Sequence, residues 1–252
     1  MWLKIGHAIS EKGAITWSLN MSGLLSVVAT PIGNREDITL RALRILKEAD
    51  LILCEDTRVA KKLLDYYEIK TPLLSYHQHS DNFKTEKIKD LLKAGNKLAL
   101  ISDAGTPGVS DPGSKLISQL REENALDLKM EIIPGPSALT AALSLAGIGF
   151  DRFTFLGFLP HKKGRQTLVQ QIVNSETSFV VYESKHRILK LLQELGQASA
   201  LAKVKKELII FREISKLHES VYQGEAETLL TELKKDANNL KGEFVVLIKK
   251  KK

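Results

Sequence analysis

The chain has 252 residues, 43% of them hydrophobic and 27% charged, a folded profile long enough for two α/β domains. No apolar run approaches the ~18 residues of a membrane span, so no membrane association is expected. A single cysteine, Cys54, excludes an internal disulfide and a multi-cysteine metal site and suits a cytoplasmic location, while the net charge of +7 permits an anionic polymer as partner without requiring one.

Residues 1–20 show no sustained periodicity and no apolar core long enough for a signal peptide, so they read as an extension that is not part of the fold. After Met21-Ser22-Gly23 the pattern becomes regular. Leu24 to Thr30 predicts a strand that runs into the loop Thr30-Pro31-Ile32-Gly33-Asn34. Asp37 is expected to cap a helix from about Ile38 to Ala49. Leu51 to Glu55 predicts a second strand, ending in Glu55-Asp56-Thr57-Arg58, with a helix to about Tyr67. Pro72 to Ser75 is a short strand that gives way to Tyr76-His77-Gln78-His79-Ser80, and the following helix stops at Gly95. Lys97 to Ser102 predicts a buried strand, followed by an unusual loop from Asp103 to Gly113 with three glycines, two prolines and two aspartates. Asp111-Pro112 reads as the cap and first position of a helix from about Gly113 to Glu123. A strand over Lys129 to Ile133 leads into Pro134-Gly135-Pro136-Ser137-Ala138 and a helix over 137–146.

This alternation predicts a parallel sheet with helices on both faces. After Gly147 the rhythm changes. Strands are expected over Phe153 to Gly157, Ser178 to Tyr182, Glu207 to Phe211, Ser220 to Tyr222 and Phe244 to Ile248, with helices near 164–174, 184–195 and 225–235. The expected architecture is therefore α/β in two domains, 21–137 with a parallel sheet and 138–252 with a mixed one.

Ligands of open parallel sheets bind beyond the carboxyl ends of the strands. Three loops there carry Pro-Gly punctuation: Thr30 to Asn34, Asp103 to Pro107, and Pro134 to Ala138. Glycine allows close backbone approach or positive φ, so these loops predict a cofactor cleft. Neither a dinucleotide G-x-G-x-x-G nor a phosphate-binding G-x-x-x-x-G-K-[ST] is present. Polar clusters end strands in both halves: Glu55, Asp56 and Arg58; His77 and His79; and, each also expected to open a helix, Tyr182-Glu183-Ser184-Lys185-His186-Arg187 and Arg212-Glu213-Ile214-Ser215-Lys216. Two histidines without a third ligand favour substrate contact over metal, and no metal site is predicted. A buried or solvated ion pair is the plain alternative for each of the other clusters.

These stretches together resemble the tetrapyrrole-methylase superfamily of S-adenosylmethionine-dependent methyltransferases. The resemblance rests on T-P-I-G-N with D-I-T-L-R-A, A-D-L-I-L-C-E-D-T-R, S-D-A-G-T-P with S-D-P-G, P-G-P-S-A, D-R-F-T-F-L-G-F-L-P, Y-E-S-K-H-R and G-E-F-V, across 24–248. E-D-T-R, S-D-A-G-T-P and G-F-L-P together resemble the branch that 2′-O-methylates a cytidine ribose in the decoding region of 16S rRNA, on the small ribosomal subunit. Ser80 replaces the asparagine usual there, and Glu213-Ile214-Ser215-Lys216 replaces E-L-T-K. The resemblance implies a homodimer with S-adenosylmethionine between its two domains. Pro31, Gly33, Asp103, Gly105, Thr106, Ser137 and Ala138 are then expected to hold the cofactor. Glu55, Asp56, Arg58, Glu213 and Lys216 are candidates for catalysis, and His79, Lys185, His186 and Arg187 for substrate contact. The alternatives are a tetrapyrrole (precorrin-type) C-methyltransferase and diphthine synthase. The basic balance and the E-D-T-R and Y-E-S-K-H-R clusters favour RNA.

Overall fold

A computed structural model describes residues 23–77, 82–111, 113–122, 128–147 and 152–250. The proposed extension over 1–20, His79, Ser80 and Pro112 lie outside the described residues.

The first half holds strands β1 (Leu24–Val28), β2 (Leu51–Cys54), β3 (Leu73–Ser75), β4 (Lys97–Leu100) and β5 (Lys129–Ile133). All pair in parallel, in the order β3-β2-β4-β1-β5. The period of two sorts their side chains. Ala99 and Ile101 join Val28, Ile52 and Ile133 under helices α1 (Leu40–Glu48) and α2 (Thr57–Tyr66). Leu98 and Leu100 join Leu25 and Leu53 under α3 (Asn82–Lys93) and α4 (Gly113–Glu122). Cys54 is a core thiol, pushed up to about 11 by burial first and then by the Asp103 and Asp56 charges.

One local expectation is corrected. Asp37 does not cap the first helix; Thr39 does, its side chain accepting from the Ala42 amide at 3.1 Å. Asp37 instead ends a short 3-10 turn, Arg35–Asp37, capped by Asn34. The extra turn consumes the residues that a direct entry would have used.

In the second half, β6 (Phe153–Phe158), β7 (Ser178–Ser184), β8 (Lys206–Arg212), β9 (Ser220–Gly224) and β10 (Glu243–Lys250) form a mixed sheet in the order β6-β7-β10-β8-β9. Only β6 and β7 run parallel; β10 is antiparallel to both β7 and β8. Helices α6 (Arg165–Asn174), α7 (Ile188–Ala202) and α8 (Ala226–Lys234) cover one face through Val169, Leu191, Leu195 and Leu229. Helix α5 (Ala138–Leu145) covers the other, with Ala142 against Val180, Ile209, Phe211 and Val245. Because β10 runs against its neighbours, its first residues meet the carboxyl ends of β7 and β8, with Phe244 opposite both Glu183 and Arg212. That edge of the second sheet faces the loop edge of the first.

Candidate functional site

Between the two sheet edges lies a cleft of about 960 Å³ including its open mouth. The wall on the first sheet is made of loops tied to one another through their backbones. Thr30 and Gly105 exchange both amide–carbonyl hydrogen bonds, at 2.9 and 3.1 Å. The Thr106 hydroxyl donates to the Pro136 carbonyl at 3.0 Å. Asp111 accepts from the amides of Gly108 at 2.8 Å and Gly113 at 2.7 Å, pinning the turn that precedes α4. Gly105 has φ +81°, and a Cβ there would lie 3.2 Å from Ile32 Cγ2 and 3.6 Å from the Pro136 oxygen. A side chain at that point would fill the gap between the loops, so glycine keeps the cradle open.

This wall is acidic. Glu55, Asp103 and Asp111 all line the cleft. Burial raises the Glu55 carboxyl, and the Asp103 and Asp111 charges raise it further, against an opposing contribution from His77. Asp103 is likewise raised by burial; the Asp56 amide, donating to it at 3.2 Å, pulls the other way, and Asp56 and Asp111 charges add to the rise. Carboxyls whose ionisation is opposed by neighbouring carboxylates mark a place where a cation would be stabilised. Among the described residues no group of three or more His, Cys, Asp or Glu is placed to hold a metal ion. An open backbone cradle beside a carboxylate field fits S-adenosylmethionine, whose sulfonium and amino groups are cationic.

The opposite wall consists of paired side chains. Lys216 donates to Glu213 at 2.9 Å and to Glu243 at 2.8 Å. Burial alone would lower the Lys216 ammonium, but the two carboxylates outweigh it and raise its pKa. Burial alone would raise Glu213, but hydrogen bonds from Lys216 and the Glu243 amide hold it below the usual range. Tyr182 reaches across to Ser137 on the last loop of the first half and bonds to Leu139 in α5; burial raises its phenol, and those hydrogen bonds offset part of the rise. Ser215 stitches the halves together again. Its hydroxyl accepts from the Asn34 amide at 3.2 Å and donates to Asp37.

The expected residues divide as follows. Glu55, Asp103, Gly105, Thr106, Ser137, Ala138, Glu213 and Lys216 line one cleft. Gly33 meets the second half directly, since a Cβ there would lie 2.4 Å from Lys216 Cγ. Pro31 is half-buried and does not line the cleft, whereas Ile32 of the same loop does. Asp56 caps α2 through the Arg58 amide at 2.8 Å and pairs with the Arg58 guanidinium at 2.6 Å, which holds the Asp56 carboxyl at about 2. Lys185 and His186 are exposed in the turn after β7. Arg187 turns inward, to Glu183 at 2.8 Å and the Leu159 carbonyl at 2.9 Å.

The stretch Arg212 to Lys216 does not open a helix as expected. It begins the connection to antiparallel β9, with Glu213 and Ser215 at φ 55° and 67°. Buried Arg212 fixes that connection by donating to the carbonyls of His218, Asn238 and Lys241. Ile32, Ser110, Phe158, Tyr182, Glu183 and Glu243 line the cleft without having been singled out for it. All six lay inside the quoted motifs T-P-I-G-N, S-D-P-G, G-F-L-P, Y-E-S-K-H-R and G-E-F-V; their types carry no cofactor signal by themselves.

The profile of the tetrapyrrole (corrin/porphyrin) methylases matches residues 24–230. The chain is 41% identical to ribosomal RNA small subunit methyltransferase I of Synechocystis sp. over 90% of its length and 78% of that protein's. It is 42% identical to the protein of the same name from Hydrogenobaculum sp., covering 90% of this chain and 95% of that one. Among solved structures, a diphthine synthase superposes with a TM-score of 0.68 at 17% identity, over 90% of this chain and 89% of its own. The chain belongs to the tetrapyrrole methylase family of S-adenosylmethionine-dependent methyltransferases.

Proposed function

We propose that this methyltransferase acts on the small ribosomal subunit in the cytoplasm, as a homodimer, and methylates the ribose 2′-hydroxyl of a cytidine in the decoding region of 16S rRNA. The observation that carries the reading is the identity of about 40%, spread over nine-tenths of the chain, with proteins named for small-subunit rRNA methylation. The likeness to diphthine synthase, at 17% identity, speaks to the fold alone. The net charge of +7 and the exposed Arg58, Lys185 and His186 support an anionic polymer.

S-adenosylmethionine supplies an electrophilic methyl group when bound. Asp103, the backbone of Gly105 and Thr106, and Ser137 and Ala138 would hold it, since all of them line the cleft. The ribose hydroxyl is a weak nucleophile and must lose its proton as the new O–C bond forms. Lys216 is kept protonated by Glu213 and Glu243, so it serves as a donor to an oxygen and not as a base. Glu55, raised by burial and by neighbouring charge, is the carboxylate of the cleft best suited to take up the proton. Orienting the two reactants accounts for a further ~7–11 kcal/mol of the barrier.

The test is direct. Incubation with labelled cofactor and small subunits should place label in one rRNA nucleotide, and alkaline hydrolysis should leave one phosphodiester resistant. Label entering a tetrapyrrole or a protein, or an RNA in which every bond cleaves, overturns the assignment.

A further inference from the structure

The G-F-L-P motif has no role in the site as built so far, yet it ends β6 at the cleft. Strict alternation along β6 would put Phe158 on the same face as Leu156, which packs with the α6–α8 core. The register shifts between Phe155 and Gly157, so that Phe155 pairs with Val180 but Phe158 with Tyr182. The bulge turns Phe158 onto the cleft face. Gly157 makes this possible. It has φ +60°, and a Cβ there would come within 2.7 Å of Ser110 Oγ on the first half.

The ring so delivered is 49% exposed at the cleft wall. It sits edge-on to Tyr182, with ring centroids 5.7 Å apart. The turn that follows is held rigidly from beneath. Arg187 donates to the Leu159 carbonyl at 2.9 Å, and Arg165 to the Pro160 carbonyl at 3.2 Å. Both guanidiniums are anchored on Glu183, whose side chain is fully buried, at 2.8 and 3.7 Å. Arg165 also pairs with Glu194 at 2.7 Å. Two arginines, a glycine at positive φ and a bulge thus converge on presenting one exposed aromatic ring.

We propose that Phe158 is a stacking platform for the nucleobase of the target nucleotide. The inference rests on the rRNA reading above and extends it to a named positioning contact. A ribose hydroxyl can meet a methyl group buried between two domains only if its nucleotide leaves the RNA stack. An unstacked base regains its lost contacts on an aromatic face, and such stacking tolerates any base. The Arg187 guanidinium, 5.8 Å from the ring centroid, adds a cationic neighbour.

Four variants test this: Phe158→Ala, Phe158→Leu, Phe158→Tyr and Phe158→Trp. The Ala and Leu variants should lower kcat/KM for small subunits by about 10-fold or more, while Tyr and Trp keep most of it. Cofactor Kd by calorimetry should be the same in all four. Emission from Phe158→Trp, taken as the difference from wild type because Trp2 and Trp17 also emit, should be quenched by small subunits. A Leu variant as active as wild type would show that only apolar surface is needed, and overturns the proposal. Loss of cofactor affinity in step with kcat/KM would make Phe158 part of the cofactor wall, and overturns it equally. A wild-type protein that fails to label small subunits refutes the rRNA reading itself; one that labels them as well as Phe158→Ala does refutes only the platform.

Discussion

The two walls of the cleft are built on opposite electrostatic plans. On the first sheet, carboxylates stand together: the Asp103 and Asp111 charges raise the Glu55 carboxyl, the Asp111 charge raises that of Asp103, and the loops carrying them are held by backbone bonds. On the second sheet, carboxylates are matched to cations. Glu183 meets Arg165 and Arg187, Glu194 meets Arg165, and Glu213 and Glu243 share Lys216. A wall of mutually repelling charge gains stability when a cationic ligand arrives. A wall already neutralised holds a shape. On the reading proposed above, the first is the binding wall and the second the positioning wall.

This contrast is broken most severely at Arg165. It is 2% exposed and serves two carboxylates and a carbonyl. Removing it strands buried charge, so Arg165→Ala should cost about 3–5 kcal/mol in urea unfolding. A loss within error would mean that water reaches the pair and that the wall is not rigid.

Asp103→Ala should leave the unfolding midpoint nearly unchanged but weaken S-adenosylmethionine binding by about 10- to 100-fold, as loss of a charged hydrogen bond predicts. Its raised pKa adds a pH signature. The ionised form is the one that attracts a cation, so affinity should fall on acidification, starting at a higher pH than for an ordinary carboxylate near ~3.9. Calorimetry across that range, with Asp103→Asn as the uncharged comparison, checks the sign.

At Gly157 the walls touch. Gly157→Ala imposes a left-handed alanine against Ser110, for an expected cost of about 1–2 kcal/mol. Its effect on turnover of small subunits should exceed its effect on cofactor affinity, because the strained residue is the one that aims the Phe158 ring.

Lys216→Met should change the pH dependence of stability at both ends. Glu213 has a lowered pKa, so its contribution is present above its unfolded value and lost as pH falls through the folded one. Lys216 has a raised pKa, so its contribution is full below its unfolded value and lost as pH rises through the folded one. The variant should flatten the acid and alkaline limbs together. The smallest effect belongs to Arg58→Ala. The Asp56–Arg58 pair lies at the surface, so the melting temperature should not move, while the Asp56 carboxyl should rise from about 2 in an NMR titration.

Much of this architecture is written locally. Apolar runs such as Leu51 to Cys54 and Lys97 to Leu100 have the length and bounds of buried strands, and their alternation with amphipathic helices specifies a parallel sheet. Gly105 and Asp103 point to a cleft because a glycine that allows close backbone approach, beside a carboxylate at the carboxyl end of a parallel strand, leaves room for a ligand there. Where an expectation failed, a short-range signal had a competitor. Asp37 and Thr39 are both good caps two residues apart, and the 3-10 turn decides between them. Arg212 to Lys216 has the composition of a helix start, yet the antiparallel return of β9 and the grip of Arg212 on distant carbonyls make it a turn.

By itself the sequence determined the element order, the parallel first sheet, the three Pro-Gly loops at its edge and the family, because these follow from periodicity, turn chemistry and motifs within a few residues of one another. Only the tertiary structure decided which charges are spoken for. Glu183, Arg187 and Arg165 are separated by up to 22 positions in the chain, and nothing local tells a buried ion pair from a phosphate ligand. Which face Phe158 presents was likewise beyond local reading. Side-chain direction in a strand depends on register, and register here turns on a bulge fitted to Ser110 from the other half of the molecule.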